Sequence, residues 1–403
     1  MKIDGADLDD LRAGNPPLNS GLLAAMTLGR ALWLDRFQEH YLANYIARGH
    51  GSKVKVLVGK PGSGKTHLLR CVEQDARSLG YEVVFLSLRE LDYKLNNLPV
   101  LYRAIVDQID KEELVRGLCR SVASKLGYNR ERYDGSGCFL PLLVEEGLYS
   151  NDATREIRKA VGQTFHDLDI GPSFTTFCYI VTHSRMVTGN SETLSLAFKW
   201  LAGEKLERFE KQATGLFERL QKTNARSWLN SLVHIMRMAG LTGLVVLIDD
   251  LEVMTERSPE TNRYLYTANA IKDTCELFRQ LIDDTELLEG FLLLLSGRRE
   301  ITEDEKRGFK SYEALWMRLQ TGLVPGERFN PYADIVDADA HLAAQGPDFA
   351  VQVAFNLQQI FKEAGLPRRF KDLPDLSGYS ELRGRIMEAS LLADLVEGSP
   401  DKP

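Results

Sequence analysis

The chain has 403 residues, 44% of them hydrophobic and 27% charged, which is the balance of an ordinary globular protein of one large domain or two to three smaller ones. A net charge of −7 excludes a surface that binds nucleic acid as a whole, so any DNA contact must come from a local patch or a partner. Five scattered cysteines (Cys71, Cys119, Cys138, Cys178, Cys275) form no C-x-x-C pair, the histidines form no metal-binding motif, and no apolar run reaches membrane-spanning length. With Met1-Lys2-Ile3-Asp4 unlike a signal peptide, a cytoplasmic protein without structural zinc or membrane contact is expected.

Residues 1–50 read as a helical prelude. Leu11-Arg12-Ala13-Gly14-Asn15-Pro16-Pro17 is turn-rich, and its prolines cannot be helical throughout. Leu28, Ala31, Leu32, Leu34, Phe37, Tyr41 and Tyr45 then recur three or four apart, which predicts helix over residues 21–48.

The next segment carries the strongest motif. Gly59-Lys60-Pro61-Gly62-Ser63-Gly64-Lys65-Thr66 fits G-x-x-x-x-G-K-[ST], the phosphate-binding P-loop. It follows the apolar run Val54-Lys55-Val56-Leu57-Val58 and opens the periodic run His67 to Leu79, giving the strand–loop–helix context the motif requires. The glycines permit a tight turn whose N–H groups face inward, and the following helix points its N-terminus at the same spot. Pro61 stiffens the loop where no N–H is needed. The loop and His67 are expected to bind ATP, with Lys65 on the terminal phosphates and the Thr66 hydroxyl on Mg²⁺. Leu68, Leu69, Val72, Ala76 and Leu79 share one helix face, and Gly80 can cap it. Glu82 to Leu88 reads as a second strand, completing a βαβ unit with parallel pairing.

Residues 95–240 read as a helical insertion. Leu101, Ile105, Ile109, Leu114, Leu118, Val122 and Leu126 set a helical period, residues 192–238 predict long amphipathic helices, and residues 171–189 suit either a strand or a buried helix. The third strand, Gly243 to Asp250, is apolar and ends in Asp249-Asp250-Leu251-Glu252. Such a strand fixes a carboxylate at its end, in the crevice where doubly wound sheets bind ligands. Asp249 is expected to orient Mg²⁺, and Asp250 or Glu252 to position an attacking water. Phe291-Leu292-Leu293-Leu294-Leu295-Ser296 is the fourth strand. Ser296 at its end sits where a polar sensor of the γ-phosphate belongs, Arg298 or Arg299 can reach phosphate in the same or a neighbouring subunit, and Arg318 is a weaker candidate on an amphipathic helix with Leu315 and Leu319. Arg368-Arg369-Phe370-Lys371 is the best local basic patch for DNA. The predicted fold is α/β: a parallel P-loop sheet built from residues 51–94 and 241–325, flanked by helices, with the insertion and a helical C-terminal region over 326–403.

Several of these segments together resemble the ATP-binding proteins of bacterial phage-exclusion (BREX) islands, the BrxD-like group, and through them the AAA+ and STAND-like P-loop ATPases. The segments are Leu11 to Pro17, the P-loop with His67-Leu68-Leu69, Leu98-Pro99-Val100-Leu101-Tyr102, Trp200-Leu201-Ala202-Gly203, Gly243 to Glu252, and Tyr312 to Leu319. The resemblance implies an AAA+-related fold, ATP binding, and a part in defence against phage alongside a helicase or other partners. The family often has Asp-Glu where this chain has Asp249-Asp250. Two readings follow: a Mg²⁺-dependent ATPase that assembles with itself, DNA or defence-system proteins, and a nucleotide-dependent scaffold or switch with negligible turnover.

Overall fold

The computed structural model describes residues 2–166, 170–284, 287–319, 329–366 and 375–393. The four apolar runs become strands β1 (Ser52–Val58), β2 (Glu82–Ser87), β3 (Leu244–Asp249) and β4 (Phe291–Gly297). A fifth strand that the sequence did not announce, β5 (Ile335–Asp337), joins the edge. All five are parallel, in the order β2-β3-β4-β1-β5.

A parallel sheet must be covered on both faces, and its strands alternate accordingly. Val54, Val56, Leu244, Val246, Ile248, Leu293 and Leu295 face one side, in a core continued by the helices of the 95–240 segment. That core runs without a break to Phe174, Phe177, Trp200 and Trp228. Leu57, Val245, Leu247, Leu292 and Leu294 face the other side, covered by Leu68, Leu69 and Val72 of the P-loop helix and by Trp33, Phe37 and Leu42 of the N-terminal region. A third core joins Ile3, Leu8, Leu11, Leu22 and Met26 to Leu357, Phe361, Ala389 and Ala393, so the first helices and the last described ones pack together.

Three predicted helical runs are divided in the structure. The 21–48 run stops at Thr27, which is extended, and turns at Gly29 with φ +63°, before resuming as a short α-turn and the π-helix Gln38–Arg48. The 192–238 run divides into Ser191–Leu201, Arg208–Thr214 and Ala225–Met238, interrupted at Gly203 and Gly215, both in the left-handed region that favours glycine. The run from Leu101 to Leu126 divides at Asp110, whose side chain caps the second helix by accepting the Glu113 N–H. Residues 171–189, open between strand and helix, are helix Pro172–His183 with proline in its first turn, extended by a π-turn.

Candidate nucleotide site

Register brings the functional residues to one edge. Ser87 pairs with Asp249, Leu57 with Ser296, and Val58 with both Gly297 and Asp337, so the carboxyl ends of all five strands form a single row. The P-loop leaves from β1 in that row. Gly62 and Gly64 hold φ of +79° and +85°, conformations that a side chain would strain. The helix Lys65–Ser78 starts at Gly64 with no side chain capping its first N–H groups. Ser63 Oγ is buried without a hydrogen-bond partner. Uncapped donors, an orphaned hydroxyl and a helix N-terminus are the makings of an anion site.

Lys65 is nearly buried and donates from Nζ to the carbonyls of Gly59 (3.0 Å) and Lys60 (2.9 Å). Burial lowers its pKa, against the pull of Glu252, Asp249 and Asp339, in that order. The Thr66 hydroxyl donates to Asp249 Oδ2 at 2.6 Å, and Asp249 Oδ1 accepts the Asp250 N–H at 2.9 Å. Burial raises the pKa of Asp249, while the hydrogen bond from Thr66 opposes the rise. Ser296 Oγ is wholly buried, makes no hydrogen bond of good geometry, and lies near enough to help hold Asp249 down. A hydroxyl and a carboxylate set side by side in a dry site are donors that fit Mg²⁺.

The two candidates for positioning water have different settings. Asp250 is left-handed (φ +60°), which aspartate tolerates, and its carboxylate accepts the Ser87 hydroxyl at 2.6 Å. Glu252 is 9% exposed, its charge is the strongest raising influence on Lys65, and burial raises its own pKa. Arg298 binds it twice, through its backbone N–H (3.2 Å) and its guanidinium (3.3 Å).

The remaining sequence candidates separate. Lys60 presents its N–H to the Asp339 carboxylate (3.1 Å), and Arg299 is tied to Asp337 and Asp339. The His67 ring is within hydrogen-bond distance of the Thr27 hydroxyl (3.0 Å), and burial, with Arg30 and His341 nearby, pushes its pKa down to about 4. Arg318 pairs with Asp283 and is not among the residues lining the cavity. Arg368 to Lys371 lie outside the described residues.

Sequence reasoning missed what closes the site. Helix Glu381–Leu391 begins at Ser380, whose hydroxyl donates to the Gly62 carbonyl (2.9 Å). Arg383 follows and donates to the Ala13 carbonyl (2.7 Å), joining the turn-rich N-terminal segment to this helix. A serine N-cap before a periodic run signals such a helix, but no local pattern shows that it docks on the P-loop. A partly open cavity of about 780 Å³ has two ends. The P-loop, Asp249, Asp250, Glu252, Ser87, Arg89 and Arg298 form a polar end, and Met26, Leu28, Leu342, Phe349, Val353 and Ile386 an apolar one. That is the size and division that suit a nucleotide.

No helix among the described residues is long and apolar enough to cross a membrane. No curated protein and no solved structure matches the chain. The family model described as BREX system ATP-binding protein BrxC/D matches residues 5–375, nearly the whole length, and the chain, with its α/β P-loop NTPase-like fold, belongs to that family of ATP-binding defence proteins.

Proposed function

We propose that the protein is a Mg²⁺-dependent ATPase of AAA+ type that works in the cytoplasm with partners of its defence system, a helicase or further copies of itself among them, and with DNA through a local patch. The observation that supports this best is the hydrogen bond from Thr66 to Asp249, which joins the P-loop helix to the acidic strand across β4. The P-loop N–H groups and Lys65 would hold the β- and γ-phosphates, and Thr66 and Asp249 would hold the metal, directly or through water. Mg²⁺, when bound, supplies neutralisation of charge on the terminal phosphates. Glu252 would accept a hydrogen bond from the attacking water, since it is the more buried of the two carboxylates and Asp250 already accepts the Ser87 hydroxyl. Ser296 and Arg298 would respond to the γ-phosphate, and the helix at Ser380 would carry its loss to the core shared by the first and last described helices.

The scaffold reading draws on a different observation: Asp250 is held by Ser87 and Glu252 by Arg298, so both candidate carboxylates have partners before any water is engaged. Steady-state phosphate release with and without DNA separates the two. Turnover that Asp249→Ala abolishes establishes the ATPase; ATP binding with no release in any condition establishes the scaffold. ATP binding by Lys65→Ala at wild-type affinity would sink the site assignment itself. Light scattering with and without ATP tests assembly, with an ATP-dependent rise in mass expected.

A further inference from the structure

Besides Arg70 of the P-loop helix and Arg383, two arginines line the cavity, Arg89 after β2 and Arg298 after β4. Neither points an unpaired charge at the P-loop. Arg89 forms a two-pronged pair with Glu256, Nη1 to Oε2 and Nη2 to Oε1, both at 3.1 Å. Arg298 reaches the same carboxylate through Nη2, at 3.4 Å from Oε1. Glu256 is absent from the cavity lining, yet it binds both of these arginines. Its position is fixed by the short helical turn after β3, where the Glu256 N–H donates to the Glu252 carbonyl at 3.0 Å.

The pairs form a chain around the site. Asp250 lies 3.9 Å from Arg89, Arg89 forks Glu256, Glu256 touches Arg298, and Arg298 binds Glu252. The side chains are partly exposed, Arg89 by half and Glu256 by about a quarter, so each pair alone is weak. Weak pairs suit exchange. A terminal phosphate offers an arginine more charge and more acceptor oxygens than a carboxylate does. An arginine must break from Glu256 to take it, and Arg298, in leaving, takes its guanidinium from Glu252, which keeps only the Arg298 backbone N–H.

We propose that Glu256 is a positioning residue that sets how strongly the site distinguishes a nucleotide bearing a γ-phosphate from one lacking it, by competing with that phosphate for Arg89 and Arg298. The proposal rests on the reading of the P-loop as the nucleotide site. It requires that neutralising Glu256 favour the triphosphate selectively, because the diphosphate has no group to receive the freed arginines.

The test is calorimetric titration of the full-length protein with ATPγS and with ADP, both with Mg²⁺. In Glu256→Gln the ratio of ATPγS to ADP affinity rises about tenfold, the worth of one charge-assisted hydrogen bond. ADP affinity stays at the wild-type value. The rise shrinks when Glu256→Gln is combined with Arg89→Gln or with Arg298→Gln, and Glu256→Asp, which keeps the charge, returns the ratio toward wild type. Equal shifts for both nucleotides would mean a merely structural role and overturn the proposal, as would a rise that persists undiminished in both double variants. A wild-type chain that binds neither nucleotide overturns the underlying reading instead, and that result is visible before any Glu256 variant is made.

Discussion

Thr66 and Asp249 meet at 2.6 Å although 183 residues separate them, and the strands that position them are not neighbours in the sheet. β4 lies between, so the hydroxyl of the P-loop helix and the carboxylate ending β3 converge over the end of the strand that bears Ser296. Asp249→Asn keeps the size of the side chain and removes its charge. Phosphate release is expected to fall about 100-fold or more, in the range seen when one group stabilising developing charge is lost. Because burial holds the Asp249 pKa above the ordinary aspartate range, protonation competes with the metal at a higher pH than it would for an exposed aspartate. Mg²⁺-dependent nucleotide affinity in the wild type should therefore weaken as pH falls toward that raised value, and Asp249→Asn should lack this dependence. Identical pH profiles for the two proteins, measured by titration with MgATP, would remove Asp249 from the metal site.

Asp250 and Glu252 are told apart by what already holds them. Glu252 is the more buried and dominates the charge felt by Lys65, whereas Asp250 turns to Ser87. Glu252→Gln is expected to lower kcat about 100- to 1000-fold with little change in ATP affinity, as for loss of a general base. Asp250→Asn should cost less than about tenfold, since its partner is a hydroxyl on β2 and the amide can still accept that bond. Pre-steady-state and steady-state phosphate release on both variants decides between them; the reverse order of effects assigns the water to Asp250.

The contact between Gly62 and Ser380 leaves no room for a methyl group unless Ser380 shifts. A Cβ there would lie 2.2 Å from Ser380 Oγ, at a backbone φ of +79°. Gly62→Ala therefore combines backbone strain of about 1 kcal/mol with displacement of the helix that begins at Ser380. Nucleotide affinity is expected to fall more than tenfold, while Ser380→Ala, which deletes the hydrogen bond to the Gly62 carbonyl and the N-cap bond from the Arg383 N–H without crowding the loop, should cost about two- to tenfold. Wild-type affinity in both variants would mean that the C-terminal helix does not report on the loop.

The legible part of this site was whatever a single stretch of backbone builds. The P-loop, its helix and the apolar strands before Asp249 and Ser296 are local patterns, and each forms where its period places it. β5 is three residues long, too short for a period, and is held by the edge of β1, where the Val56 N–H donates to the Asp334 carbonyl at 2.8 Å. The breaks at Thr27, Gly203 and Gly215 fall inside runs whose apolar spacing continues regardless, so periodicity read through them. Ser380, Arg383, Glu256 and Asp339 act through contacts between segments far apart in the chain, such as Lys60 with Asp339, and no local spacing encodes these.

Lys55 is a charge in the wrong place for an apolar strand, and its environment gives a prediction about stability. It lies on β1 beneath the P-loop with no solvent exposure, on the face covered by the π-helix. Its Nζ donates to the Tyr41 hydroxyl (3.0 Å) and the Tyr332 carbonyl (3.1 Å) and sits 4.3 Å from the Tyr41 ring centre. Burial lowers its pKa to about 7 from 10.5; nearby Asp334, itself paired with Lys53, resists the fall, and Lys53 adds to it. A depressed folded-state pKa contributes stability that is fully present above the unfolded value and is lost as pH falls toward the folded one. Between pH 10.5 and about 7 the unfolded chain takes up the proton first, so this residue's contribution declines through that window and is flat below it. The change is on the order of several kcal/mol by linkage. Lys55→Met removes the titrating group and leaves the Tyr41 hydroxyl donating to the Tyr332 carbonyl at 3.2 Å, so no buried partner is orphaned. The variant should match or exceed wild-type stability at pH 7, and the wild type should gain on it steadily as pH rises toward 10. Urea unfolding at pH 7, 8, 9 and 10 measures the difference directly; parallel curves across that range would show that Lys55 keeps an ordinary pKa in the fold.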